Sequence, residues 1–202
     1  MSDLPWLDPT RLSFVAAAEG LAAAVRDGLD PESDPARSST PTAGGEILLM
    51  PAAGRRFAGV KAVTVAPGNP AVGLPRIHGV YLLFDGITLA PVALVDGAGL
   101  TFVRTPAVSL AAIARLTPDR PLETVVFGTG PQAWAHAWAV SELRPGSRLT
   151  VVGRTTVQGE RLVERCRAAG LPAKAGTAEA VADADLIVCA CSRASAWPGR
   201  TW

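Results

Sequence analysis

The stretch "VVFGTGPQAWAH", residues 125–136, decides how the second half of this chain folds. Its apolar run ends at Gly128 and Gly130, and the small residue Ala133 follows three positions later. In such a pattern the first glycine permits a tight strand-to-helix turn, the second lets a ligand approach the backbone, and the third small residue lets the helix lie near the strand. Amides at the start of that helix face an anion such as pyrophosphate. The pattern is weak alone, but here it follows a predicted strand and opens a predicted helix, as a dinucleotide-binding turn requires.

The residues around this turn alternate between strand and helix patterns. They predict strands at 124–128 and 149–153, helices at 131–142 and 156–169, a weak strand at 172–175, a short helix at 177–182 and a strand at 185–191. Alternation of this kind is typical of parallel βαβ units. It predicts the first half of a Rossmann-type sheet with a fourth strand.

The first part of the chain has a different pattern. A helix is predicted at 8–28, with Pro9 near its start and Gly28 at its end, and a polar loop follows at 29–46. Short apolar runs then predict strands in an antiparallel or mixed sheet at 59–67, 79–86, 90–97 and 100–105. A helix is predicted at 105–118, with Thr105 as its cap and Pro106 at its first position.

These patterns place a domain boundary near residue 120. We expect an α/β chain with an α+β first domain over residues 1–120. An incomplete doubly wound parallel sheet of the Rossmann type follows over residues 121–202.

The end of the second Rossmann strand bears on which nucleotide fits. An NAD site usually has an acidic residue about 20 positions past the glycines, bonded to the ribose hydroxyls. This chain has "VVGRTT" (151–156) there, with Gly153, Arg154 and Thr155 and no carboxylate. Arginine can hold a 2′-phosphate through its fork of donors, so NADP(H) is preferred over NAD(H). The alternative is that Arg154 is a solvated residue at a helix start.

The composition bears on which partners, cellular location and metal sites we expect for this chain. Nineteen basic and eighteen acidic residues leave a net charge of +1, which does not suggest nucleic acid or a membrane surface. The N-terminus lacks the pattern of a secretory signal, and no apolar run is long enough to span a membrane, so we expect a cytoplasmic protein. The three cysteines, Cys166, Cys189 and Cys191, form no CxxC pair; we expect buried free thiols and no metal site.

Several charged residues have two interpretations. Lys61 shares strand parity with two apolar residues and could bind an anion in a cleft or extend its ammonium to water. Arg104 precedes the predicted helix start at Thr105 and could bind phosphate or face solvent. Arg37 lies in a polar loop. His78 and His136 have no visible acid–base partner, so we expect structural roles for both.

Residues 37–192 resemble the ornithine cyclodeaminase/mu-crystallin family. The resemblance rests on Lys61 and on "LLMPA" (48–52), "PGNPAVGLPRIHGVYLLFD" (67–85), "ALVDGAGLTFVRTPAVSLAA" (93–112), "GTGPQA" (128–133) and "ADADLIVCACS" (182–192). It implies NAD(P)(H)-dependent hydride chemistry at a carbon bearing an amino or imino group, as in ornithine cyclodeamination, a lyase activity, or imino acid reduction. Mu-crystallin-like members bind small ligands without obvious catalysis, and members of this type are commonly dimers joined through the first domain.

The resemblance also assigns roles to single residues. Arg37 and Lys61 resemble the ligands of the substrate carboxylate, and Lys61 is the candidate catalytic residue. The implied cofactor-binding residues are Arg104, Thr105, Gly128, Thr129, Gly130, Gln132, Ala133, Gly153, Arg154 and Thr155.

Two departures from the family pattern matter. Cys189 and Cys191 stand where the family tends to have hydroxyl residues. The tail "SRASAWPGRTW" (192–202) does not continue the family pattern, whose next strands carry a catalytic aspartate. We therefore expect a chain truncated at its C-terminus, with a bare edge at the last strand and poor stability. Two hypotheses follow: an oxidoreductase or cyclodeaminase, or a non-catalytic relative with partial NADP(H) or ligand binding.

Overall fold

The first six strands form one mixed sheet. The computed structural model describes residues 4–26 and 35–191. Its strands are β1 Trp6–Leu7, β2 Ser38–Thr42, β3 Gly45–Ala53, β4 Phe57–Val65, β5 Ile77–Asp85 and β6 Pro91–Asp96, in the order β1-β6-β5-β4-β3-β2. The β1–β6 pair is parallel and the other pairs are antiparallel, so the prediction of an antiparallel or mixed sheet is confirmed. The predicted loop at 29–46 is wrong in its second part, where the sequence pairs as β2 and the start of β3.

The two faces of this sheet differ in burial. Cross-strand partners point to the same face, because side chains alternate along each strand. Val63 and Ala93 lie buried on one face. We call the other face the open face; Thr40, Thr64, His78 and Asp96 lie on it beside eight apolar residues, none of them fully buried, by which we define it: Ile47, Leu49, Pro51, Val60, Ala62, Val80, Leu82 and Leu94.

The helix after β6 begins earlier than its sequence predicts. Helix α2 covers Gly97–Leu116, after the first helix, α1, at Phe14–Arg26. The Asp96 carboxylate accepts hydrogen bonds from the amides of Ala98 and Gly99, both at 3.1 Å, and so caps the helix there. The predicted strand at 100–105 is therefore wrong, and Thr105 and Pro106 lie inside the helix instead of at its start.

Helix α2 is long and apolar enough, by length and composition, to cross a membrane. Six of its residues are buried inside protein: Gly97, Gly99, Val103, Pro106, Ala107 and Leu110. A core helix passes the same test of length and composition, so the helix is weak evidence for a membrane.

Helix α1 is shorter than the predicted helix at 8–28. Pro9–Arg11 forms a separate 3-10 turn, because the Asp8 side chain accepts a hydrogen bond from the Thr10 amide. The start of α1 is capped from α3 (Pro131–Leu143): the Glu142 carboxylate accepts from the amide of Phe14 at 3.2 Å. The predicted end at Gly28 lies outside the described residues.

The second sheet is fully parallel and confirms the predicted Rossmann pattern. Its strands are β7 Glu123–Phe127, β8 Arg148–Val152, β9 Ala173–Ala175 and β10 Leu186–Cys189, in the order β10-β7-β8-β9. Helix α3 connects β7 to β8, and α4, Thr156–Ala168, connects β8 to β9. The start of β10 is held by Asp185, which accepts two bonds from Arg120 and one from the Glu123 amide; Arg120 chiefly, with that amide, lowers the pKa of Asp185 to about 2.

The described residues group into two compact units. One contains the residues up to Leu12 and from Ala22 to Val103, and the other contains Ser13–Leu21 and the residues from Arg104 onward. The predicted boundary near residue 120 separates the two sheets in sequence, whereas the units divide inside α2. The reason is that the second half of α2 is bonded to α3, through Ser109 and through Arg144 just after α3.

Candidate functional site

The turn after β7 needs glycine at its first position. Gly128 has a φ of +116°, in the region that favours glycine. A Cβ atom there would lie 2.5 Å from the carbonyl oxygen of Ala190. The Gly128 amide donates to the carbonyl of Val152 at 3.0 Å, which fixes the turn beside the end of β8. The fold of the turn therefore requires glycine at position 128, whether or not a ligand binds there.

The second glycine of the turn has no such constraint. Gly130 is exposed, and a Cβ atom there would meet no atom within 4 Å. It is the N-cap of α3 and supplies no side-chain bond to the helix start. Ala133 is fully buried one turn later, so α3 lies close to the sheet. Thr129 and Gln132 are half-buried between these positions.

The end of β8 lies beside this turn, as its parallel pairing with β7 requires. A Cβ atom on Gly153 would lie 2.8 Å from the amide of Gly159 in α4, so glycine is needed for close packing there. The Thr155 hydroxyl accepts from the Gln158 amide at 3.3 Å and caps α4. Arg154 is exposed, and no hydrogen bond or ion pair is described for its guanidinium within residues 4–26 and 35–191.

Helix α2 brings two further predicted residues into the second unit. Arg104 is exposed and Thr105 is half-buried. One turn later, Ser109 Oγ lies 3.2 Å from Nε2 of His136 in α3. No local sequence pattern predicts this partner for His136, because 27 residues separate the two. Burial lowers the pKa of His136, so the ring is held neutral.

In the first unit, the structure shows a specific partner for Lys61. Lys61 is half-buried on the same face as the buried Val63, and its Nζ donates to Thr101 Oγ1 in α2. Thr101 in turn donates to the carbonyl of Gly97 at 2.9 Å. The ammonium group of Lys61 is therefore held by Thr101, and its role as an anion ligand stays a prediction.

Arg37 and Lys61 lie on opposite sides of β3 in the strand order β4-β3-β2. Arg37 immediately precedes β2, whose Ser38 pairs with Leu49 of β3. Lys61 of β4 pairs with Met50, the next residue of β3. The two basic residues therefore flank β3 from its two neighbouring strands, and Arg37 is exposed.

The cysteines differ in exposure. Cys166 is a buried free thiol, as predicted. The same prediction is wrong for Cys189 and Cys191, which are exposed at the carboxyl end of β10, an edge strand of the described sheet. Partial burial raises the pKa of Cys189, and Cys191 raises it further. Within the described ranges, no three His, Cys, Asp or Glu side chains are grouped to hold a metal ion.

Comparison with known proteins places these features in a family. Residues 14–198 match the ornithine cyclodeaminase/mu-crystallin family. The chain is 38% identical over 120 residues to Delta(1)-pyrroline-2-carboxylate reductase 2 of Burkholderia ambifaria, covering 59% of this chain and 39% of the relative. It is 35% identical over 161 residues to Delta(1)-pyrroline-2-carboxylate reductase of Bacillus cereus, covering 76% of this chain and 50% of the relative.

A solved structure shows the same fold. Delta(1)-pyrroline-2-carboxylate reductase of Thermococcus litoralis, in complex with NADH and L-proline, superposes with a TM-score of 0.72 at 27% identity. The match covers 87% of this chain and 56% of that one. The chain therefore spans about half the length of the relatives it matches.

Proposed function

The chain belongs to the ornithine cyclodeaminase/mu-crystallin family, and we propose its function from that membership. The matched relatives are reductases of cyclic imino acids. The proposed activity is NAD(P)H-dependent reduction of a small cyclic imino acid at the carbon of its C=N bond. The product is the corresponding cyclic amino acid.

The observation that carries this proposal is the turn between β7 and α3. Gly128 holds the turn against Ala190 and Val152, while the space beside Gly130 is open to a ligand. The start of α3 therefore presents backbone amides and the positive end of the helix dipole to that open space. These residues fit a dinucleotide pyrophosphate. When bound, the reduced nicotinamide supplies a hydride.

Lys61 and Arg37 are proposed to bind the carboxylate of the imino acid. Lys61 is oriented by Thr101, so its ammonium group is fixed before substrate arrives. A fixed positive charge orients an anionic substrate with little loss of side-chain freedom. Arg37, on the other side of β3, adds donors for the second carboxylate oxygen.

The activity is tested by incubating the purified chain with NADPH and Δ1-pyrroline-2-carboxylate and following the nicotinamide absorbance. We expect turnover, and we expect Lys61→Met to raise KM for the imino acid about tenfold or more, because one charged hydrogen bond is lost. Asp119→Asn, an exposed change of charge in the second unit, is the control and should leave KM unchanged. A folded chain that shows no turnover at high protein concentration would contradict the proposed activity.

We also propose that NADP(H) is the preferred cofactor. The support is Arg154: it is exposed beside the turn, and "VVGRTT" offers no carboxylate to repel a 2′-phosphate. We expect Arg154→Ala to weaken NADPH binding by roughly tenfold and to leave NADH binding nearly unchanged. Arg148→Ala, at the opposite end of β8, is the matched control. Equal affinity for both nucleotides in the unmodified chain would contradict the preference.

A homodimer is proposed through the open face of the first sheet. Its eight defining residues are apolar, and none is fully buried in a single chain. Contiguous apolar surface of this kind usually marks a site of association. In the proposed dimer, twofold symmetry places this face against the same face of a second copy, as in an isologous interface.

A further inference from the structure

His136 lies between two segments that the proposed function assigns to the cofactor. Its Nδ1 is 2.8 Å from the carbonyl oxygen of Gln132, in the first turn of α3. Its Nε2 is 3.2 Å from Ser109 Oγ, one helical turn after Thr105 in α2. The imidazole therefore bonds to the helix that carries the glycine turn and to the helix that carries Arg104 and Thr105.

The hydrogens in this contact are fixed by the chemistry of the partners. A carbonyl oxygen only accepts, so Nδ1 carries the ring hydrogen and Nε2 is the acceptor. The Ser109 hydroxyl then donates its hydrogen to Nε2, the shorter of its two contacts; the other, to the Thr105 carbonyl, is 3.4 Å. Nε2 therefore accepts its hydrogen bond from Ser109, and His136 is only 8% exposed to solvent.

A second link between the same helices has a different position. Arg144, just after α3, donates to the carbonyls of Ala114 and Pro118 at and after the end of α2. This link joins the ends of the helices that lie away from the glycine turn. The Ser109–His136 bond joins the same helices closer to the glycine turn, six residues after Gly130.

We propose that His136 is a positioning residue for the dinucleotide. Through Ser109 it links α3, which begins at the glycine turn, to the segment of α2 that contains Arg104 and Thr105, and loss of that bond weakens nucleotide binding. The inference rests on the proposed function, since it takes the turn as the nucleotide site.

The test measures the Kd for NADPH by titration calorimetry on the full chain. Ser109→Ala removes the hydroxyl, and we expect Kd to rise roughly 5- to 30-fold, which corresponds to the loss of one buried hydrogen bond. Ser109→Thr keeps the hydroxyl and is expected to restore binding to within about threefold. In the turnover assay, Ser109→Ala raises KM for NADPH and leaves kcat unchanged, a separation that lower stability alone would not give.

The matched control is Ser147→Ala. Ser147 is also in the second unit; its Oγ accepts from the Leu122 amide at 3.0 Å and donates to the Arg144 carbonyl at 2.6 Å. It lies at the amino end of β8, opposite the glycine turn, so its loss lowers stability without reaching the proposed site. We expect the melting temperature of the Ser147→Ala variant to fall and its Kd for NADPH to stay within about twofold of that of the unmodified chain.

His136→Asn breaks the same bond from the other side and serves if Ser109→Ala does not fold. We expect the double variant to bind no more weakly than either single variant, because both remove one interaction. A folded Ser109→Ala with unchanged Kd, or with lower stability alone, overturns this inference and leaves the proposed function standing. Failure of the unmodified chain to bind NADPH overturns the proposed function and this inference with it.

Discussion

Gly128 and Gly130 are two residues apart, yet the structure gives them separate reasons to be glycine. The positive φ of Gly128 and its contact with Ala190 are properties of the fold. The open space at Gly130 is available to a ligand. The sequence motif predicts a tight turn at the first glycine and ligand approach at the second, and the structure adds the backbone strain and the close contact that require glycine at Gly128.

This difference predicts a mainly structural effect of alanine at Gly128 and a mainly ligand-binding effect of alanine at Gly130. Gly128→Ala should lower the free energy of unfolding by at least about 2 kcal/mol, because of backbone strain and the clash with Ala190. Gly130→Ala should lower it by less than about 1 kcal/mol and raise Kd for NADPH about tenfold or more, because the methyl group occupies the ligand's space. Urea denaturation and calorimetric titration measure the two effects. Equal losses of stability in both variants would contradict the assignment.

His136 makes stability depend on pH. The unfolded imidazole has a pKa near 6.5, and burial lowers the pKa in the folded chain. As the pH falls below 6.5, the unfolded chain gains a proton that the native chain resists. The free energy of unfolding therefore falls, by at most about 1.4 kcal/mol per pH unit, and the contribution of His136 is complete above 6.5.

Urea denaturation between pH 5 and 8 measures this dependence. The His136→Asn variant is expected to lose that part of the slope, since it carries no titrating ring. If both chains show the same slope across this range, the lowered pKa is not linked to folding.

At the scale of elements, α2 shows where sequence reasoning failed. The run "LTFVRT" (100–105) was short, apolar and β-branched enough to predict a strand, and Pro106 is common at a helix start. The decisive feature was the Asp96 carboxylate, which caps the helix eight residues earlier than the predicted start. The spacing alone could not separate a turn at Asp96-Gly97 from a helix cap.

The other end of α2 is capped by Arg144. Its guanidinium donates to the carbonyls of Pro118 at 2.9 Å and Ala114 at 3.3 Å, while its ion-pair partner Asp119 is almost fully exposed. Exposed ion pairs contribute little, so the carbonyl contacts decide the effect. Arg144→Met should cost about 2–3 kcal/mol in urea denaturation, and Asp119→Asn less than about 1 kcal/mol. Similar losses in both variants would instead assign the effect to the ion pair.

At the scale of the whole molecule, the two sheets were predictable to different degrees. All seven elements predicted after residue 123 are present within about two residues of their expected ends, because glycine turns and alternating periodicities are local signals. The contacts that build the candidate site were not predictable. Ser109 meets His136 across 27 residues and Lys61 meets Thr101 across 40, and neither pair has a local pattern.

The open face gives a prediction about assembly. Leu82 lies on that face between Val60 and Leu94, so Leu82→Glu should place a charge at the centre of the proposed interface. We expect a dimer for the unmodified chain and a monomer for this variant by light scattering. Val157→Glu, an exposed apolar residue of α4, is the control and should remain dimeric. A monomeric unmodified chain would contradict the proposal.

If folding and pairing use the same apolar surface, the stability of this chain is not a property of one molecule. In the proposed dimer a second copy covers the open face, so mass action adds to the free energy of the native state. Each tenfold dilution then removes about 1.4 kcal/mol per dimer. We expect the melting temperature to rise with protein concentration, so thermal data from dilute samples describe a weaker molecule than the one that exists at high concentration.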